Sequence, residues 1–275
     1  MSKIQLVIDS TAYISKDFAK KHDIKMVPLS VNFEGTLSEE GFPGEFDEFF
    51  ERLANSNDFP TTSQPSAGAF LEVFQKALDE GKEVITITIS SKLSGTYSSA
   101  ITAAGMLDEG KVSVIDSESA AANIKELVQV ALNMIDEGYS REEIANKLEQ
   151  QKKQMGILLT VGTLDYLKKG GRLSNTGALI GNLLNIKPII ALKEGKLVPV
   201  DKVRGKKKAL EKIIENIPEE STVINICHIY ALDEALDIKK LLEEKFPKSR
   251  IDIQVLGPVV GAHLGPKALG VLFMY

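Results

Sequence analysis

Tryptophan is absent from this chain of 275 residues, cysteine occurs once (Cys227), and histidine only three times. A lone cysteine excludes an intramolecular disulfide and suits a reducing cytoplasm. The histidines His22, His228 and His263 are too scattered to offer the spaced ligands of a zinc site. No apolar run approaches the roughly 18 residues that a membrane-spanning helix requires. The first strand-like stretch, Ile4–Ile8, is short and ends in Asp9, which is unlike a secretory leader. Positive charge is also in deficit: 33 Lys and Arg against 38 Asp and Glu leave a net charge of −5. That balance disfavours nucleic acid or an anionic membrane surface as the main partner. The expectation is a soluble, cytoplasmic, globular protein.

What is present alternates between strand and helix patterns, which points to an α/β fold. Strand signals fall at Ile4–Ile8, Lys25–Val31, Val84–Ile89 and Val112–Ile115. After Ser66, the residues Phe70, Val73, Phe74, Ala77 and Leu78 follow helical spacing and form one apolar stripe, which stops at Gly81. Ser140 and Glu143 have capping-box spacing for a helix running to about Gln151. Strands joined by helices imply right-handed crossovers and a largely parallel sheet.

The second half reads differently. Met155–Val161 looks like a strand and Leu164–Leu184 like a Gly-rich helical segment. Pro188–Leu192 and Lys196–Val200 look like a hairpin about Lys193-Glu-Gly195. Two helix–strand pairs follow, Lys206–Asn216 with Thr222–Ile229 and Leu232–Phe246 with Ile251–Leu256, before a final strand at Gly270–Tyr275. We therefore expect two domains. Residues 1–153 carry a mostly parallel sheet flanked by helices, residues 154–275 a smaller mixed sheet, and the ligand lies between them.

The most informative stretch runs from Ile87 to Ser99, where a β-branched strand stops at the hydroxyls around Leu93-Ser-Gly95 and a helix follows. Unpaired backbone N–H groups at a helix start favour an anion. A second hydroxyl cluster, Thr61–Ser66, also precedes a helix. Thr62 and Ser94 are the candidates to donate hydrogen bonds to a carboxylate or phosphate. Ser94 lacks the G-x-S-x-G elbow of a hydrolase nucleophile. Asp9-Ser-Thr11 and Asp116-Ser117 follow strands, as either helix caps or crevice residues. His263 stands among the glycines and prolines of Gly257–Pro266, which argues for a fixed loop path. There it either donates to an anion, moves a proton, or serves structure. His22 and His228 read as structural.

Lys202–Lys208 is the one dense basic patch. It reads as a solvated helix start or as an anion gate or docking point, with Arg204 suited to bidentate contact. Lys168–Ser174 resembles a phosphate loop loosely but lacks the Walker and Rossmann spacings, and Gly177 and Gly181 suit close helix packing.

Several segments together resemble the DegV family of bacterial fatty-acid-binding proteins. They are Asp9-Ser-Thr11, Thr62-Ser-Gln-Pro-Ser66, Leu93-Ser-Gly-Thr-Tyr-Ser98, Leu167-Lys-Lys-Gly-Gly-Arg-Leu173, Lys187-Pro188, and Gly261-Ala-His263 with Gly265-Pro266. The resemblance implies a long-chain fatty acid, such as palmitate, buried between two α/β domains, with its carboxylate bound by Thr62 and Ser94. His263 and Arg204 would lie near the head group or at the interface with a separate kinase. That kinase subunit, similar to dihydroxyacetone kinases, would convert the bound acid to an acyl phosphate for phospholipid synthesis. The chain itself would then be no enzyme and would need neither cofactor nor metal. Two other readings compete: an esterase or acyltransferase with Ser94 as nucleophile and His263 as base, and a subunit that binds a small phosphorylated metabolite.

Overall fold

The computed structural model describes residues 4–107, 110–173 and 186–275. In chain order the first half contains β1 (Ile4–Asp9), α1 (Lys16–Lys21), β2 (Lys25–Val27), β3 (Ser30–Phe33), β4 (Thr36–Glu39) and α2 (Asp47–Asn55). It continues with β5 (Thr61–Ser63), α3 (Ala67–Asp79), β6 (Glu83–Thr88), α4 (Thr96–Ala104), β7 (Val112–Asp116), α5 (Ala122–Asp136) and α6 (Arg141–Gln151). The second half contains β8 (Met155–Thr160), α7 (Asp165–Lys169), β9 (Ile186–Lys193), β10 (Lys196–Arg204) and α8 (Lys206–Glu215). Then come β11 (Val223–His228), α9 (Leu232–Lys245), β12 (Arg250–Val255), α10 (Pro258–Leu264) and β13 (Leu269–Met274).

The first half is built on a parallel sheet of order β2-β1-β6-β7. Every residue of β1 is buried, as a parallel strand covered on both faces requires. Val7 and Val84 meet Phe70 and Phe74 of α3 on one face. Leu6, Ile8, Ile85 and Ile87 face the other way, into the core shared with α5 and α6. The capping box of α6 is formed: Ser140 Oγ accepts the Glu143 N–H at 3.4 Å, and Glu143 Oε2 accepts that of Ser140 at 2.9 Å.

The single strand expected over Lys25–Val31 is broken. Pro28 has no N–H for a ladder, so β2 ends before it. β3 then pairs antiparallel with β4 and β5 in an additional small sheet of order β4-β3-β5.

The second half is a mixed sheet of order β10-β9-β8-β13-β11-β12, in which, among the described residues, only β11 and β12 are parallel neighbours. With six strands it is wider than the four-stranded sheet, although it was expected to be the smaller. The chain's last strand, β13, is central, between β8 and β11. The β9–β10 hairpin turns on Glu194 (φ 49°) and Gly195 (φ 76°), the pair of positive φ values that a two-residue type I′ turn demands. Of the expected helix Leu164–Leu184, the described part holds only α7. The remainder, with Gly177 and Gly181, lies outside the described residues.

α8 and α9 cover the outer face of this sheet, packing Ile213, Ile238 and Leu242 on Ile224, Ile226 and Val271. The inner face, with Ile157, Leu159, Cys227 and Leu272, joins the core of the parallel sheet in one apolar cluster. α5 contacts both β6 and β13 and so bridges the two sheets. Among the described residues, no helix is long and apolar enough to cross a membrane.

Candidate functional site

The turn after β6 is assembled by buried polar groups. Asp9 at the end of β1 accepts the N–H of Ile89 at 2.6 Å and that of Thr11 at 2.9 Å. Burial pushes its carboxyl pKa up, against the pull of these hydrogen bonds. Asp116 accepts the N–H groups of Ser91 and Glu118, each at 3.0 Å. Both aspartates therefore shape loops, and neither lines the cavity described below. Ser90, fully buried, accepts the Lys92 N–H at 3.2 Å and donates to the Gly195 carbonyl at 2.8 Å, tying the turn to the β9–β10 hairpin. A Cβ at position 195 would collide with that Ser90 hydroxyl, so the hairpin approaches this closely because residue 195 is glycine.

Within the turn, Ser94 Oγ lies 2.8 Å from the buried Thr96 Oγ1 and accepts the Thr96 N–H at 3.4 Å. If Thr96 donates its hydroxyl hydrogen inward, the Ser94 hydrogen is left to face a ligand. Gly95 packs against the Gln64 side chain, which brings the loop after β5 alongside. Thr62 lies on β5 opposite Val31, placed there by the sheet that formed when Pro28 ended β2.

His263 is not in a loop. It occupies the last turn of α10, a helix with Pro258 in its first turn and Gly265 at its end at φ 73°. The proline and glycine that suggested an irregular path mark a helix start and stop. His263 Nε2 lies 2.8 Å from Thr62 Oγ1. Nδ1 is buried against Gly170 and has no hydrogen-bond partner among the described residues. Burial, helped by the nearby Arg172 charge, lowers the His263 pKa to about 4, so the ring is neutral at neutral pH. A hydrogen on Nε2 avoids burying an unpaired N–H at Nδ1. Nε2 then donates to Thr62 and leaves the Thr62 hydrogen for a ligand oxygen.

Arg172 completes this end, and sequence reasoning did not single it out. Its Nε donates to the Leu93 carbonyl at 3.2 Å and its Nη1 to the Gly170 carbonyl at 2.6 Å. The guanidinium is thereby fixed between the Ser94 turn and His263. It stands in the Leu167–Leu173 segment quoted above for the family resemblance, where Gly170 lets the backbone come close to the histidine.

Thr62, Ser94, Arg172 and His263 all border one cavity between the two large sheets, with about 830 Å³ of empty space including its mouth. Apart from these four and Cys227, the lining is glycine, alanine and larger aliphatic residues, among them Leu29, Ile157, Leu159, Leu256 and Leu272. Burial raises the Cys227 thiol to about 12, so it remains neutral, donating to Gln254 Oε1 at 3.6 Å.

Arg204 is exposed at the far end of β10, opposite Ile186, and is not among the lining residues. At about 3.3 Å per residue, it stands roughly 20 Å along the strand from the lining residue Leu197. His228 is buried and accepts the Ala231 N–H at 3.4 Å, and His22 packs its ring on Phe18 at 4.6 Å.

Donors gathered at one end of an otherwise apolar cavity suit an amphiphile with an anionic head. A hydrolytic pair is not assembled, because His263 bonds to Thr62 while Ser94 bonds to Thr96. Among the described residues no cluster of His, Cys, Asp and Glu could hold a metal ion.

Comparison with known proteins agrees with this architecture. A DegV domain-containing protein of Clostridium acetobutylicum is 39% identical over 277 residues, covering 100% of this chain and 99% of its own. The crystal structure of DegV from Bacillus subtilis, described as a fatty acid binding protein, is 35% identical, covers 100% of both chains and superposes with a TM-score of 0.89. A DegV family protein from Thermus thermophilus, whose structure is described in terms of fatty acid binding, is 33% identical, with 98% of this chain and 99% of that chain covered and a TM-score of 0.89. The family model described as "DegV: Uncharacterised protein, DegV family" matches residues 3–275, and the chain belongs to that family.

Proposed function

We propose that this protein binds a long-chain fatty acid such as palmitate, with its tail in the cavity and its carboxylate at Thr62 and Ser94. The observation that carries this reading is the division of the cavity wall, with Thr62, Ser94, Arg172 and His263 at one end and aliphatic side chains along the rest. Burying a saturated chain yields about 0.8 kcal/mol per CH₂. About fourteen methylenes therefore contribute on the order of 11 kcal/mol before association costs. The polar end then mainly orients the head and keeps its charge paired. Arg172 supplies that charge, and the two hydroxyls fix the oxygens without covering both of them.

The finer parts of the reading rest on the family resemblance. The protein presents the carboxylate to a separate kinase, similar to dihydroxyacetone kinases, which forms the acyl phosphate for phospholipid metabolism in the cytoplasm. His263 acts at the head group. Arg204, remote from the cavity, belongs to the kinase interface instead. Residues 1–153 carry the carboxylate loops and residues 154–275 cover the acyl chain. Extraction of protein purified from bacterial cells, followed by mass spectrometry, tests the central statement. A long-chain fatty acid in near-stoichiometric amount is expected. A small phosphorylated metabolite in its place would overturn the reading.

A further inference from the structure

A second buried carboxylate stands outside the head-group site and is tied to its walls. Glu40, just after β4, is 3% exposed. Its Oε1 accepts the N–H of Val259 at 2.7 Å and the hydroxyl of Tyr13 at 3.3 Å, and its Oε2 accepts the hydroxyl of Ser10 at 2.7 Å. The same two hydroxyls reach onward. Ser10 Oγ accepts the Leu29 N–H at 3.1 Å, and Tyr13 OH accepts the Val260 N–H at 3.3 Å. The Glu40 N–H also donates to the Leu29 carbonyl at 2.8 Å. Leu29, Val259 and Val260 all line the cavity, and α10 carries His263 one turn beyond.

We infer that Glu40 is a positioning residue, whose ionised carboxylate clamps Leu29 and α10 in place and thereby sets the affinity of the cavity and the His263–Thr62 contact. The inference rests on the fatty-acid reading for its ligand and on the hydrogen bonds above for its mechanism. All three groups that face the carboxylate are donors. Protonating Glu40 adds a fourth hydrogen among them, so one hydroxyl has to turn its own hydrogen away and the bonds that hold Ser10, Tyr13 and Val259 to the carboxylate lose their charge assistance. Among the described residues, the titratable groups against Glu40 are Asp9, at the end of β1, and Tyr13, in the segment after it, and the bonds α10 makes to this cluster come from backbone N–H groups. Burial raises the Glu40 pKa to about 7, with the Asp9 charge adding to it, so the switch falls within the range where binding is readily measured.

The test is palmitate titration of wild type and Glu40→Gln between pH 6 and 8.5, where subtracting the two profiles cancels the ligand's own titration. Wild-type affinity is expected to fall about tenfold from pH 8.5 to pH 6, the equivalent of one charge-assisted hydrogen bond. Glu40→Gln is expected to bind at the wild type's low-pH level throughout. An unchanged slope, or wild-type affinity at pH 8.5 in the variant, would overturn the clamp. Amide exchange without ligand supplies the second measurement: Leu29, Val259 and Val260 should exchange faster in Glu40→Gln at pH 8.5 than in wild type. Equal exchange overturns the clamp even if the cavity does not bind palmitate, a failure that would count against the fatty-acid reading alone.

Discussion

Thr62 and Ser94 line the cavity with hydroxyls whose second partners are already in place, His263 for one and Thr96 for the other. Replacing either with alanine removes one hydrogen bond to a charged oxygen, worth about 1.5–3 kcal/mol. Palmitate affinity should fall about 10- to 100-fold in each variant by calorimetry, with little change in thermal stability. His263→Ala should bind palmitate within a few-fold of wild type yet lose acyl-phosphate formation with a cognate kinase and ATP. Normal product formation would remove His263 from the transfer step. Its lowered pKa also has a sign: the ring's stabilising contribution is complete above the unfolded value and is lost as pH falls through about 4. His263→Gln should accordingly gain in Tm relative to wild type on acidification from pH 6.5 to 4. Thr62, Ser94 and His263, all of which line the cavity, could be picked out as candidates because hydroxyls before a helix, and a histidine framed by glycine and proline, are local patterns. Arg172 stood only inside a loosely phosphate-loop-like, family-matching segment, since what fixes its side chain is the carbonyl of Leu93, 79 residues earlier. Glu40 follows the exposed Ser38 and Glu39, and no local pattern separates it from them until the fold buries it.

At the scale of elements, an apolar stripe identified α3, a capping box identified α6, and the alternation of strand and helix signals identified α8, α9 and the strands of both large sheets apart from the end of β2. These signals failed where a single residue or a distant partner decides. Pro28 split one expected strand into two and created the sheet that positions Thr62. Pro258 and Gly265 bound a helix that had been read as a loop. The β9–β10 hairpin was recognised, but its contact with Ser90 was not, because no local pattern announces a 105-residue separation. Gly195→Val places a β-branched side chain at positive φ and against the Ser90 hydroxyl, at a cost of about 2–4 kcal/mol. The variant should melt several degrees lower and bind palmitate more weakly, since the same hairpin contributes Leu192 and Leu197 to the cavity. Unchanged melting would mean that the turn is not pinned to Ser90.

For the whole molecule, the division into a parallel and a mixed sheet followed from the order of strand and helix signals. The space between the sheets did not, because its walls come from Leu29 through Leu272 and only folding gathers them. Ligand binding to such a gap stabilises the folded chain by about 2.7 kcal/mol at a hundredfold excess over Kd. Palmitate should therefore raise the Tm by several degrees, whereas octanoate, which buries about half as many methylenes, should do far less. The most direct measurement is a crystal structure with palmitate. The account predicts carboxylate oxygens within hydrogen-bond distance of Thr62 Oγ1 and Ser94 Oγ, with the chain running past Leu159 towards Leu272. A carboxylate bound elsewhere, or a chain lying outside this cavity, would contradict it.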